Sequence, residues 1–353
     1  MGYPAIKVNK EKLKHNTKVL AEKCGRLGID IAPVTKVYCG IPEIAEASVE
    51  AGAKMLADSR IENIIKLKEL NVERMLLRIP MLSEVDEIVE HVDISLNSEY
   101  EVIKALSEKA QQKGKVHKII LMVDLGDLRE GVWYKDAVEF AGRIVRLPGI
   151  KLVGLGTNLT CYGAVIPSVE NLGLLAALAE EIEKKYDIKL DIISGGNSSS
   201  LHLVEKNEVP KGINQLRLGE AIVLGNETAY GERIEDTYGD VFTYMAEIIE
   251  LKEKPSVPVG ETGVDAFGEK PVFTDRGIRK RAILASGRQD LKVDGIQPRD
   301  KDAIVIGASS DHLIIDVNDC SREYKVGDIM EFDLSYGALL AAFTSEYVEK
   351  IIE

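Results

Sequence analysis

From about residue 10 the chain alternates between two hydrophobic patterns. Short runs rich in Val, Ile and Leu fall at residues 30–35, 54–57, 74–79, 93–96, 117–123, 151–157, 189–194 and 212–218. Longer stretches at 11–23, 41–51, 61–70, 98–113, 136–147 and 171–186 carry apolar residues at helical spacing. Strand followed by helix, repeated eight times, predicts an α/β fold whose parallel strands close into a (β/α)8 TIM-type barrel. An open doubly wound sheet is the rival, but eight units in so short a span suit closure better. The active site is then expected at the C-terminal ends of the strands.

Beyond the eighth strand the texture changes. Residues 241–251, 281–286, 303–306, 312–317 and 329–334 read as strands, separated by segments rich in Gly, Pro and Asp at 254–263 and 293–301. The expected organisation is a barrel over residues 11–228 and a C-terminal β domain over 229–353, joined by an N-terminal strand within residues 1–10. No solenoid-type repeat and no low-complexity segment interrupts this plan.

A chain of 353 residues exceeds the size at which one core stops growing, which agrees with two domains. The net charge of -13 argues against a nucleic-acid partner or an anionic membrane. No run reaches the length of a membrane span and residues 1–14 hold no apolar signal core, so the cytoplasm is expected. Cys24, Cys39, Cys161 and Cys320 stand far apart without a CxxC pair, and the five histidines form no HExxH. Neither a disulfide framework nor a metal site is expected.

The barrel pattern puts a polar residue at or just after each strand: Lys36, Asp58, Arg78, Asn97, Arg129, Asn158, Asn197 and Arg217. Any one of them could be an ordinary solvated strand end. Together they are expected to face one rim, since polar groups could have fallen at either end of each strand. Cations beside the Ser/Gly-rich run at 194–200 (SGGNSSS) suit a ligand with phosphate and carboxylate groups. Serine-rich turns also begin many ordinary helices. Gly219 offers a second close backbone approach.

Five motifs carry a specific resemblance: APVTK at 32–36, DLGDLREG at 124–131, GTNLTCY at 156–162, SGGNS at 194–198 and RLGEAI at 217–222. In this order, and across nearly the whole chain, they resemble fold-type III pyridoxal-phosphate enzymes of the alanine-racemase kind, nearest to the ornithine and lysine racemase branch. The resemblance implies that Lys36 carries pyridoxal 5'-phosphate as a Schiff base and moves protons on one face of the substrate. It implies that Arg217 donates to the pyridine nitrogen, which weakens the electron sink and limits diversion to transamination or decarboxylation. Arg129 is implied to hold the substrate carboxylate. Asn197, Ser198, Gly219 and Glu220 map to the phosphate cradle, the last two through their amides, and Asn158 flanks the ring where relatives have histidine. Tyr336 matches a phosphate-contacting tyrosine, although a strand-end tyrosine with a wet hydroxyl reads equally well.

Two departures count against alanine as substrate. The lysine that precedes the strand-5 motif in many alanine racemases is Met122, and the catalytic tyrosine of their β domain is replaced by Arg288. The expected reaction is interconversion of the L and D forms of a free amino acid, ornithine first and lysine second, through an external aldimine and α-proton transfer. The second proton-transfer group is then open. Cys161 is the candidate, against the plain reading of a buried free cysteine, with Tyr162 or a tyrosine from a second copy's β domain as alternatives. Asp58, Asp127 and Asp311 are compatible with a distal amine. A head-to-tail homodimer sharing its active sites is implied. Two other activities stay open: a non-catalytic carrier of the cofactor, and a lyase such as a zinc-assisted dehydratase, for which His312 and Cys320 are the nearest ligands.

Overall fold

The structure is a computed structural model that describes residues 2–265, 267, 268 and 270–353. The chain divides into two compact units, Lys10–Gly239 and residues 2–9 with Asp240–Glu353.

In chain order the first elements are β1 (Ala5–Val8), α1 (Lys10–Gly25), β2 (Asp30–Pro33), α2 (Pro42–Glu50), β3 (Met55–Asp58), α3 (Ile61–Lys66), β4 (Glu73–Leu76), α4 (Val85–His91), β5 (Ile94–Asn97) and α5 (Tyr100–Gln112). They continue with β6 (His117–Asp124), β7 (Val132–Trp133), α6 (Ala137–Ile144), β8 (Ile150–Gly156), α7 (Val169–Tyr186), β9 (Ile192–Ser194), α8 (Leu201–Glu205), β10 (Gln215–Leu218) and α9 (Glu220–Leu224). Eight parallel strands follow the order β2-β10-β9-β8-β6-β5-β4-β3, and the bridge from Val34 to Ala57 joins the last to the first. The expected closed barrel is therefore present, with β7 as a short addition to β6.

Strand pleat decides which residues reach the barrel interior. Ala32, Val34, Ala57, Met75, Leu96 and Met122 pack together in one cluster inside the strands. Their neighbours Ile119, Leu121, Leu155 and Ile193 pack with α6 and α7 on the outer face. Alternation corrects part of the rim expectation. Asp58 follows inward Ala57, Asn97 follows inward Leu96, and Arg78 follows Leu77, which packs against the same interior. All three point toward the helix layer, where Asp58 accepts from Asn63 of α3 at 3.1 Å, Arg78 pairs with Glu84 at 2.6 Å, and Asn97 donates to Ser95 Oγ at 2.8 Å. The rim keeps Lys36, Arg129, Asn158, Asn197 and Arg217.

The second unit contains β1 with β11 (Phe242–Pro255), β12 (Ile278–Leu284), β13 (Ile296–Pro298), β14 (Ile304–Ala308), β15 (Leu313–Asp316), β16 (Ile329–Leu334), α10 (Tyr336–Thr344) and β17 (Glu349–Ile352). β1 pairs antiparallel with β11 and parallel with β17. The unit boundary lies at Gly239 rather than after residue 228, because 229–239 are bound back onto α1. Buried Asn16 donates to Ile222 O and Tyr238 O at 2.9 and 2.8 Å and accepts from Tyr238 N at 2.7 Å. Among the described residues no helix is long and apolar enough to cross a membrane.

Candidate active site

Lys36 opens a single 3-10 turn, Lys36–Tyr38, just beyond β2, after inward-facing Val34 and the N-cap Thr35. The turn is held from behind. Thr35 donates its hydroxyl to Asp58 at 2.6 Å, and Asp58 also accepts from Arg60 N at 2.9 Å. Burial raises the Asp58 carboxyl above the usual aspartate range, against the hydrogen bonds from Thr35 and Asn63 that lower it. Gly40, at φ +61°, lets the chain leave the turn so close to α3 that a Cβ would lie 2.7 Å from that of Asn63. Lys36 is half-buried and near Glu220, whose carboxyl is raised by burial and lowered by the lysine's charge.

On the neighbouring strand lies Arg217, paired in register with Ala32 of β2 and buried to 4% exposure near the end of β10. Its guanidinium donates to Ser194 Oγ and, at 2.7 Å, to Thr157 O. Burial lowers its pKa to about 10, so it stays charged at neutral pH. Among the described residues no carboxylate is in ion-pair contact with it. The turn after β9 runs alongside: Asn197 caps it by accepting from Ser199 N at 2.8 Å, and Ser198 Oγ accepts from Ala221 N at 3.1 Å. The Ser198 turn and the start of α9 thus form one seam, which includes Gly219 and Glu220. Ser199 Oγ is buried without a hydrogen-bond partner among the described residues. Gly196, at φ +108°, lets the backbone reverse into the seam.

The third group joins the loops after β6 and β8. Asn197 donates to Asn158 Oδ1 at 2.9 Å, and Asn158 donates to Cys161 Sγ at 3.1 Å. Cys161 is exposed rather than buried. Arg129 forks onto Glu130, with its Nη2 at 2.6 Å from Oε1. Burial lowers the Arg129 pKa, but the Glu130 hydrogen bond and the fields of Cys161, Glu130 and Asp127 outweigh it and leave the group above its usual range. Glu130 and Cys161 act on Arg217 in the opposite sense to Arg129, so all four side chains share one field. Sequence reading missed Glu130; its only signal is its place beside Arg129 in the DLGDLREG run.

The acids considered for a distal amine are engaged elsewhere. Asp127 is buried and accepts from Tyr162 N and Val165 N at 3.0 and 3.1 Å, which ties the two loops together. Asp58 is spent on the Lys36 turn, and Asp311 pairs with His312 in the second unit. Tyr336, the first residue of α10, and Arg288, whose Nε donates to Ala308 O at 3.1 Å, also belong to that unit. A cavity of about 420 Å³ opens at the opposite end of the barrel, lined by strand starts such as Lys118 and Glu73, which pair at 2.9 Å. None of the rim residues reaches it.

Residues 8–227 match the family model described as the alanine racemase N-terminal domain. The chain belongs to the alanine racemase family. It is 50% identical to the ornithine racemase of Acetoanaerobium sticklandii over 349 residues, 99% of each protein. The lysine racemase of Thermotoga maritima is 45% identical over 355 residues, covering 100% of this chain and 99% of the relative. Among solved structures, the Bartonella henselae alanine racemase with covalently bound pyridoxal phosphate superposes with a TM-score of 0.76 at 17% identity, over all of both chains. This family member's rim has the chemistry such a cofactor requires: among the described residues, a buried, charged guanidinium with no carboxylate in ion-pair contact, a seam of hydroxyls and amides, and a buried Ser199 hydroxyl without a hydrogen-bond partner.

Proposed function

We propose that this protein is a pyridoxal-phosphate-dependent racemase that interconverts L- and D-ornithine, with lysine as a poorer substrate. The full-length similarity to an ornithine racemase carries the reading, and the rim geometry supports it. Bound cofactor supplies an electron sink that acidifies the substrate's α-carbon.

The chain's own residues do the rest. Lys36, at the start of a turn anchored by Asp58, would hold the cofactor until the substrate's amine displaces it, and its freed amine would then exchange the α-proton on one face. Arg217, still charged although burial lowers its pKa, would serve as a donor to the ring nitrogen without protonating it. Asn197, Ser198 and the amides of Gly219 and Glu220 cradle the phosphate, with Asn158 beside the ring. Arg129 takes the substrate carboxylate through the guanidinium N–H groups that Glu130 leaves free. Cys161, held by Asn158 and within reach of Asn197, serves the opposite face. Tyr336 keeps only the support of the family resemblance.

We further infer a head-to-tail homodimer, because a rim open to water would let solvent protons compete with Lys36 and Cys161. Its four cysteines are free thiols, in keeping with a cytoplasmic enzyme. Sedimentation at assay concentration should give a dimer; an active monomer would contradict it.

A chiral screen of L-amino acids with added cofactor tests the function. Ornithine should give the highest kcat/KM, lysine the next, and alanine a rate near background. Release of ammonia without the D-enantiomer would turn the assignment to a lyase, and cofactor binding without turnover to a carrier.

A further inference from the structure

We propose that Glu130 is a positioning residue, whose carboxylate fixes the Arg129 fork and serves as the counter-charge that lets Arg129 and Arg217 share one rim. The proposal rests on reading Arg129 as the substrate-carboxylate site.

The backbone that presents this pair is built to hold still. Asp124 Oδ1 accepts from Gly126 N at 2.8 Å and Leu128 N at 3.2 Å, folding the loop over the end of β6. Leu128 adopts a left-handed conformation at φ 57°. Gly131, at φ +136°, packs so tightly that a Cβ would lie 2.4 Å from Asp124 N. Asp127 clamps the same loop to the one bearing Cys161. Neighbouring residues seldom hold each other, and most surface ion pairs contribute little. Two observations separate this pair from those. Both Nε and Nη2 of Arg129 donate to the two oxygens of Glu130, a bidentate fork. Glu130 is also the more buried partner, at 20% side-chain exposure against 43% for Arg129.

Charge balance supplies the reason. Arg217 feels Glu130 as a favourable field and Arg129 as an unfavourable one. Without the acid, two guanidinium groups would repel across a partly desolvated rim. With it, Arg129 spends one edge on Glu130 and keeps Nη1 for an incoming carboxylate.

The test uses holoenzyme and 5-aminopentanoate, a probe with ornithine's carboxylate and distal ammonium but no α-amino group. Its Kd is measured by calorimetry, alongside KM, kcat and Tm, for wild type, Glu130→Gln, Glu130→Asp, Arg129→Ala and the Arg129→Ala/Glu130→Gln double variant. Glu130→Gln should raise both Kd and KM on the order of tenfold or more, the size expected for a charged hydrogen bond, with Tm unchanged. Glu130→Asp should recover part of that loss. The double variant should be no worse than Arg129→Ala alone, since the acid acts through the arginine. Unchanged Kd and KM in Glu130→Gln, or additive losses in the double variant, would overturn the proposal while leaving Arg129 in place. An Arg129→Ala enzyme with unaltered Kd and KM would instead remove the carboxylate reading on which it rests.

Discussion

Thr35 donates its hydroxyl to buried Asp58 at 2.6 Å, one residue before Lys36. The contact ties the start of the lysine's turn to the outer face of the neighbouring strand. Asp58 accepts hydrogen bonds from Thr35, Arg60 and Asn63. An amide in its place can keep its oxygen toward Arg60 and Asn63 only by turning its N–H onto Thr35, whose hydroxyl must then accept and swing to the longer contact with Ala57 O at 3.4 Å. Asp58→Asn should therefore cost about 1–3 kcal/mol of stability and slow the reaction of Lys36 with added cofactor. Urea unfolding and the rate of borohydride-trapped labelling read the two effects separately.

His117 sets an acid limit on stability. Buried at the start of β6 with its ring 2.8 Å from Ser95 Oγ, it is held neutral by burial, which lowers its pKa from 6.5 to about 4. Asp93 opposes that shift only in part. In the unfolded chain the ring charges near its ordinary value, so the unfolded state takes up the proton first as pH falls. Stability is full above pH 6.5 and declines toward pH 4, by on the order of 3 kcal/mol once both states are protonated. His117→Gln should flatten this part of the pH–stability curve. Urea midpoints from pH 7 down to 4.5 check it; parallel curves for the two proteins would remove His117 as the cause.

Arg217→Lys should lower kcat/KM by roughly 10²–10³, the cost of losing one preorganised donor. A lysine ammonium is a point charge and cannot reach Ser194 and Thr157 while presenting a planar edge. The fold should survive, because a cation remains. Kinetics with saturating cofactor, together with a melting curve, distinguish loss of chemistry from loss of structure.

Cys161→Ala tests the second face. In heavy water, α-deuterium exchange should persist from one enantiomer while net racemisation collapses. Unchanged racemisation in both directions would take Cys161 out of the mechanism.

The barrel was readable from sequence because eight apolar runs and their amphipathic partners repeat with the spacing that closure needs. Lys36 was readable because it closes the first apolar run and stands in the APVTK motif, although the pleat ends at Thr35 and the lysine opens a 3-10 turn. Strand parity shows why three rim candidates failed: with Ala57, Leu77 and Leu96 inside, the next residues, Asp58, Arg78 and Asn97, must face the helices. Counting strand ends without counting pleat overfilled the rim. α10 escaped because its run YGALLAAFT is apolar on every side and shows no helical period. β13 escaped because it is three residues long and ends in proline. Glu130 was hidden for another reason. Its role comes from a folded loop that turns two adjacent side chains toward each other, and residue spacing carries no trace of that.

The central claim is that this family member racemises ornithine by exchanging its α-proton at a site built on Lys36. The most direct measurement is a time course with L-ornithine, holoenzyme and heavy water, followed by chiral chromatography and mass spectrometry of both enantiomers. The expected result is D-ornithine accumulating until the two enantiomers are equal, the product carrying one deuterium at the α-carbon, with no such conversion in Lys36→Ala. Failure to form D-ornithine, or equal rates in Lys36→Ala, would contradict the account.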